Sequence, residues 1–123
     1  MKKILVVDDE LSIVNFISDV VRVVGFEPKF LTNGKKVLAT AKDWKPDVIT
    51  LDIMMPRPNG IEVLTQLKSD PETEKIPVYI ISAAITSPEI QAKLSLAQAV
   101  FLKPIDTKDF ITRLRQFDQV SAK

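Results

Sequence analysis

Val48-Ile49-Thr50-Leu51-Asp52-Ile53-Met54-Met55-Pro56 is the stretch that decides the fold. A short, mostly apolar run rich in β-branched residues meets an aspartate, and a proline-bearing turn follows. Such a run reads as a strand buried on both faces, the pattern of a parallel sheet. Ligands of open parallel sheets bind outside the carboxyl ends of the strands. Asp52 therefore stands where an α/β protein keeps its chemistry.

The flanks repeat the theme. Lys3 to Val7 is an apolar strand ending at Asp8-Asp9. Leu11, Val14, Ile17, Val21 and Val24 follow at helical spacing, and Gly25 sits where a helix stops. Glu27 to Thr32 reads as a more polar strand, and Pro28 places it at an edge. Val37, Leu38 and Ala41 mark a short helix after the Asn33-Gly34 turn. Asn59-Gly60 opens a helix carried by Ile61, Leu64 and Leu67, and Asp70-Pro71 closes it. Val78 to Ile81 is a fourth strand, ending in Ser82. Ser87-Pro88-Glu89 starts a helix, with serine as N-cap and a thin apolar stripe of Ile90, Leu94 and Ala97 behind it. Ala99 to Leu102 is a fifth strand running into Lys103-Pro104. Asp106 caps a last helix bearing Phe110, Ile111, Leu114 and Phe117. Strand and helix alternate five times, which predicts a five-stranded parallel sheet with helices on both faces and right-handed crossovers.

Composition narrows the function. The 123 residues make one domain with a core of useful size. A net charge of +1 gives no field that marks nucleic acid or a membrane as the main partner. The apolar run after Met1-Lys2-Lys3 is too short for a secretory signal, and no stretch is long enough to span a bilayer. A cytoplasmic domain is the default. There is no cysteine and no histidine. Thiolate metal sites, an imidazole base and a histidine phosphocarrier are excluded, so any phosphohistidine must come from a partner.

Five polar residues fall at the predicted strand ends. Asp8 and Asp9 follow strand one, Asp52 strand three, Ser82 strand four and Lys103 strand five. In a parallel sheet these ends share one edge. Three close carboxylates raise one another's pKa unless a cation joins them. An all-oxygen donor set suits a hard cation, and Mg²⁺ is the expected one. Each residue alone has a plain structural role. Asp8-Asp9-Glu10 can cap the first helix, Asp52 can end a turn, and Lys103-Pro104 can punctuate a loop. The ordered set favours a functional site.

That set, with its surroundings, resembles the receiver domain of bacterial two-component response regulators. The matching segments are Ile4 to Glu10, Pro46 to Pro56, Asn59-Gly60, Ile80 to Ala83 and Phe101 to Pro104, so the likeness covers essentially the whole chain. It implies a flavodoxin-like, doubly wound five-stranded parallel sheet in the order 2-1-3-4-5, with five helices. It implies Asp52 as the phosphoacceptor. Asp9, Asp52 and the Met54 backbone carbonyl would ligate Mg²⁺, with Asp8 acting through water. Ser82 would turn its hydroxyl toward the phosphoryl group, and Lys103 would pair with a phosphoryl oxygen. The Lys103–Pro104 bond is expected to be cis. The expected partners are a sensor histidine kinase or phosphotransfer protein, and a downstream protein or separate output domain. Direct nucleic-acid binding and a membrane are not expected. The face of the fourth helix, fifth strand and fifth helix would meet the downstream partner, with Lys93, Phe101, Lys108 and Arg113 as candidate members. A single receiver domain is expected over residues 1–123, with no output domain after Lys123. It would be either a stand-alone regulator or one cut from a longer chain.

The departures carry information. The family's aromatic switch position, three before the lysine, is Val100, with Phe101 on the opposite strand face. A common glycine is Leu96, and a common acidic pair is Gln98-Ala99, which argues against one dimer mode of the family. In the family the side chains two positions after the acceptor and two after the hydroxyl residue border the path of attacking water, and the resemblance puts Met54 and Ala84 there. Neither orients water, so slow self-dephosphorylation is expected. Two rivals remain at this level. A phosphatase with an aspartyl nucleophile carries a second acid where this chain has Met54. A binding module that is never phosphorylated has no need of the intact acid, hydroxyl and lysine set.

Overall fold

The computed structural model of the chain describes residues 2–83 and 87–121, apart from the side chains of Glu89 and residues 117–121. The strands are β1 (Lys2–Val7), β2 (Phe26–Leu31), β3 (Val48–Leu51), β4 (Val78–Ser82) and β5 (Ala99–Leu102). The helices are α1 (Leu11–Val24), α2 (Val37–Trp44), α3 (Gly60–Ser69), α4 (Pro88–Lys93) and α5 (Thr107–Ser121), and a 3-10 turn at Leu94–Leu96 extends α4. The five strands form one parallel sheet in the order β2-β1-β3-β4-β5. That is the expected flavodoxin-like, doubly wound topology. No helix among the described residues is long and apolar enough to cross a membrane.

Side-chain alternation along the strands divides the core in two. One face of the sheet sends Leu5, Val7, Ile49, Leu51, Val78 and Ile80 against Val37 and Ala41 of α2 and Val63, Leu64 and Leu67 of α3. The other sends Ile4, Val6, Val48, Tyr79, Ile81 and Phe101 against Val14, Ile17 and Val21 of α1 and Phe110 and Leu114 of α5. The central strands β3 and β4 are buried throughout, which is why their sequences read as continuous rather than alternating apolar runs. Burial of one such aliphatic side chain contributes about 1.5–3 kcal/mol.

Helix ends follow local chemistry. Gly25 takes a left-handed conformation (φ 103°), and its N–H reaches the carbonyls of Val21 and Arg22. Asn59 and Glu62 form a reciprocal capping box at α3, each side chain accepting the other's backbone N–H at 3.0 Å. Asp106 accepts the Asp109 N–H at 3.2 Å and starts α5 as expected. Ser87 departs from expectation. It occupies the N-cap position of α4, but its side chain makes no cap bond. Pro88 alone presets the first helical residue. β2 runs one residue earlier than predicted, from Phe26 to Leu31, and is an edge strand as Pro28 indicated.

One close approach fixes the loop after β3. The Gly60 N–H bonds to the Ile53 carbonyl at 3.0 Å. A Cβ at Gly60 would collide with the Asp52 carbonyl oxygen and the Ile53 Cα. Those are backbone atoms, and they cannot swing aside. Elsewhere in a helix, Gly→Ala stabilises by roughly 0.5–1 kcal/mol. Here Gly60→Ala is expected to destabilise, by about 1–3 kcal/mol, read as a lowered urea midpoint. A midpoint at or above the parent value would show that the loop has room.

Candidate functional site

The carboxyl ends of β1, β3, β4 and β5 bring the site together through backbone tethers. The Asp52 N–H bonds to the Val7 carbonyl at 3.0 Å, which holds the end of β3 to β1. The Lys103 N–H bonds to the Ser82 carbonyl at 2.7 Å, which holds the residue after β5 to β4. The Lys103–Pro104 peptide bond is cis, and so is Arg57–Pro58, for which the sequence carried no signal.

The Lys103 ammonium is the hub. Its Nζ lies 2.9 Å from Asp8 Oδ2, 3.5 Å from Asp52 Oδ2 and 3.7 Å from Glu10 Oε1. Asp8 and Asp52 are buried, whereas Glu10 is exposed. The first two contacts are therefore poorly screened, and the third is an exposed pair that counts for little. Asp8 Oδ1 accepts the Glu10 N–H at 2.9 Å, and Asp52 Oδ1 accepts the Met54 N–H at 3.2 Å. Ser82 is fully buried, and its Oγ has no hydrogen-bond partner among the described residues. A buried hydroxyl without a partner is costly.

Charge is unbalanced. Burial, then the negative charge of Asp8, pushes the Asp52 carboxyl above its ordinary range; Lys103 and the Met54 N–H oppose this, and Asp9 adds to it. Burial lowers the Lys103 ammonium, but Asp8, Asp52 and Glu10 outweigh it and leave the lysine above its ordinary value. Carboxylate oxygens of Asp8, Asp9 and Glu10 lie within 4.8 Å of one another. One ammonium thus faces Asp8, Glu10 and Asp52, and Asp9 adds a further carboxylate next to Asp8 and Glu10. The excess negative charge and all-oxygen donor set fit a hard divalent cation.

The plain capping role of Asp8-Asp9-Glu10 is not what the structure shows. Glu10 stands at the N-cap of α1, and its side chain makes no cap bond. Glu10 is the site residue that sequence reasoning passed over. Its adjacency to Asp8-Asp9 was visible, but its reach to Lys103 needed the fold. Met54 is 62% exposed beside Asp52. Ala84 lies outside the described residues, as does the side chain of Phe117. Among the candidate members of the downstream face, Lys93 and Lys108 are exposed and Arg113 is half-buried. Phe101 is a correction. It is 5% exposed, packed against Tyr79 and edge-on to Phe110 in the α1–α5 core. Strand alternation turns Val100 and Leu102 outward instead, 40% and 56% exposed.

The fold and this constellation are those of receiver domains. The family model described as "Response regulator receiver domain" matches residues 4–115, and the chain belongs to that family. It is 30% identical over 115 residues to the DNA-binding response regulator MtrA of Mycobacterium tuberculosis, covering 93% of this chain and 49% of the relative. It is 30% identical over 117 residues to the polar-differentiation response regulator DivK of Brucella anthropi, covering 94% of this chain and 95% of that one. The chain thus spans about half the length of the MtrA relatives and nearly all of DivK. The solved structure of the chemotaxis response regulator CheY4 of Vibrio cholerae superposes with a TM-score of 0.83 at 27% identity, covering 95% of this chain and 98% of that one. The chain is therefore a signalling receiver of two-component systems.

The raised Asp52 value has a stability consequence. The ordinary carboxyl value is 3.8. Below it the side chain is protonated in folded and unfolded chains alike, and costs nothing. As pH rises through the higher folded value, the folded state must ionise a group it prefers protonated, and stability falls. In chelator, Asp52→Asn is therefore expected to melt above the parent at pH 7, with the gap closing toward pH 4. At this chain length about 1 kcal/mol corresponds to roughly 3–6 °C. Thermal melts of both proteins across pH test it, and a lower melting temperature for the variant at pH 7 refutes it.

Proposed function

We propose that Asp52 accepts a phosphoryl group from the phosphohistidine of a sensor histidine kinase or phosphotransfer protein. A carboxylate oxygen of Asp52 attacks phosphorus, the phosphorus–nitrogen bond breaks with its electron pair going to the freed nitrogen, and the imidazole leaves as a neutral ring that keeps the proton on its other nitrogen. The observation that carries this reading is the buried Asp52 carboxyl 3.5 Å from the Lys103 ammonium. Phosphoryl transfer needs charge neutralisation and positioning more than covalent help. Lys103 supplies a positive centre for a phosphoryl oxygen. Ser82 Oγ supplies a donor. Asp9 and Asp52, with the Met54 backbone carbonyl, would hold Mg²⁺, and Asp8 would hold it through water; Glu10 stands next to them. When bound, Mg²⁺ supplies the second positive charge at the phosphoryl oxygens.

The acyl phosphate then biases a two-state equilibrium. Its readout is the face of α4, β5 and α5, where Val100 and Leu102 offer apolar surface flanked by Lys93 and Lys108. Val100 cannot act as an aromatic switch, and Phe101 is held in the core. The surface change rests instead on the loops after β3 and β4. A downstream protein or a separate output domain reads that face. MtrA is named a DNA-binding regulator, and any DNA contact in this system would come from such an output partner.

Acetyl phosphate with Mg²⁺, read by intact mass, tests the acceptor. The parent is expected to gain one phosphoryl group, and Asp52→Asn to gain none while staying folded. Undiminished labelling of the variant moves the acceptor elsewhere. No labelling of the parent favours the unphosphorylated binding module. The metal is tested separately. The melting temperature is expected to rise with the logarithm of Mg²⁺ concentration above the dissociation constant, and Asp9→Ala to lose most of that response. A parent indifferent to millimolar Mg²⁺ counts against the site.

Met54 sets the lifetime of the phosphorylated state. Its exposed thioether lies beside the acceptor and offers an attacking water no strong hydrogen-bond partner. Slow decay after donor removal is expected. Met54→Asn or Met54→Glu is expected to speed it about tenfold, the effect of one oriented bond of about 1.4 kcal/mol in the transition state. Decay of the parent within seconds, or variants no faster than the parent, overturns this.

A further inference from the structure

A cleft of about 460 Å³ runs along α2 at the β2 edge of the sheet, lined by Lys29, Lys36, Ala39, Thr40, Asp43 and Trp44. The phosphoryl chemistry uses none of these residues. Five of them share one helical face of α2, at the spacing that brings side chains into register. Its wall is of mixed character. The Trp44 ring is half-buried, with the ammoniums of Lys3 and Lys29 at 5.2 and 5.3 Å from its centroid. Those are cation–π distances. Lys3 also donates to the Trp44 carbonyl, whereas Lys29 and Lys36 make no ion pair among the described residues.

Positive charge is gathered on this edge. Lys29 and Lys36 line the cleft, and Lys3 stands over its Trp44 ring. Lys42 is neutralised by Asp70 and Glu72, at 3.1 Å each. The rest have no such partners across the cleft, where Asp43 is the only acid in the lining.

We propose that this cleft binds a nucleotide. Lys29 and Lys36 take the phosphate oxygens as compact cationic donors. The Trp44 ring and the Ala39 methyl receive the face of the base, and Lys29 leaves the ring for the phosphate as the base arrives. Thr40 and Asp43 accept the polar hydrogens of base and sugar. A bare phosphate would leave the aromatic wall unused and meet Asp43 as a repulsive neighbour. A purely apolar ligand would leave two ammoniums unpaired. The volume is that of a small-molecule site, and base–aromatic stacking tolerates any base.

Trp44 is the only tryptophan in the chain, so its fluorescence reports on this cleft alone. Adenosine monophosphate, pyrophosphate and a short single-stranded oligonucleotide are titrated against the full chain at low salt. Saturable quenching by adenosine monophosphate is expected, not matched by pyrophosphate at equal concentration. Lys29→Gln with Lys36→Gln should weaken it by about tenfold for each lysine removed, with an unchanged melting temperature. Lys93→Gln, near the other edge, should leave it unaltered. Quenching by the oligonucleotide as well assigns the ligand as a nucleotide within a strand, and quenching by the mononucleotide alone assigns a free one. No saturable response to either, an equal response to pyrophosphate, or a response that survives the double substitution overturns the proposal.

Discussion

The structure turns on one charge relation, a single lysine ammonium set between two buried carboxylates with exposed ones at the mouth. Lys103 lies 2.9 Å from Asp8 and 3.5 Å from Asp52. Without it, two acids would be buried beside each other with nothing to offset their repulsion, a cost of several kcal/mol. With it, the site is still short of positive charge, because Asp9 and Glu10 stand at its mouth. That residual imbalance makes the site receptive. A cation relieves it directly. On the proposed reading, a phosphoryl group on Asp52 would give the ammonium a new partner.

The fold exists to hold that arrangement still. Asp8 and Asp52 each sit one residue beyond a strand end that is fully buried, so their backbone has little freedom. Hydrogen bonds across the ends of the strands, from Asp52 to Val7 and from Lys103 to Ser82, fix the relative height of the ends. Gly60 lets the first turn of α3 press on the Asp52 carbonyl, and the Asn59–Glu62 box locks that turn. Asp52 is therefore braced from both its sheet side and its loop side.

The two edges of the sheet are finished differently. At β2, proline and lysines discourage further strand pairing, and positive charge collects around Trp44. At β5, α4 is short and passes into a 3-10 turn, so Val100, Leu102 and Leu96 keep exposed apolar surface. A helix with few buried contacts has little to lose in shifting, and local stability is lowest where burial is least.

The sequence by itself determined the five βα units, their parallel sheet and the alignment of Asp8, Asp9, Asp52, Ser82 and Lys103 on one edge. These follow from the continuous apolar runs of the central strands, the helical spacing between them and stops such as Gly25. Those are local signals, each written within a few residues. What only the tertiary structure decided depends on residues far apart in the chain. Glu10 joined the site because the Lys103 side chain, set at the end of β5, reaches back to the end of β1. Phe101 left the candidate surface because α5 covers its side of β5, while α4 is too short to cover Val100 and Leu102. The lysine cluster at Trp44 needed β1, β2 and α2 brought side by side. Alternation along a strand is written in the sequence, but which of its two faces meets a helix and which meets water is settled by packing.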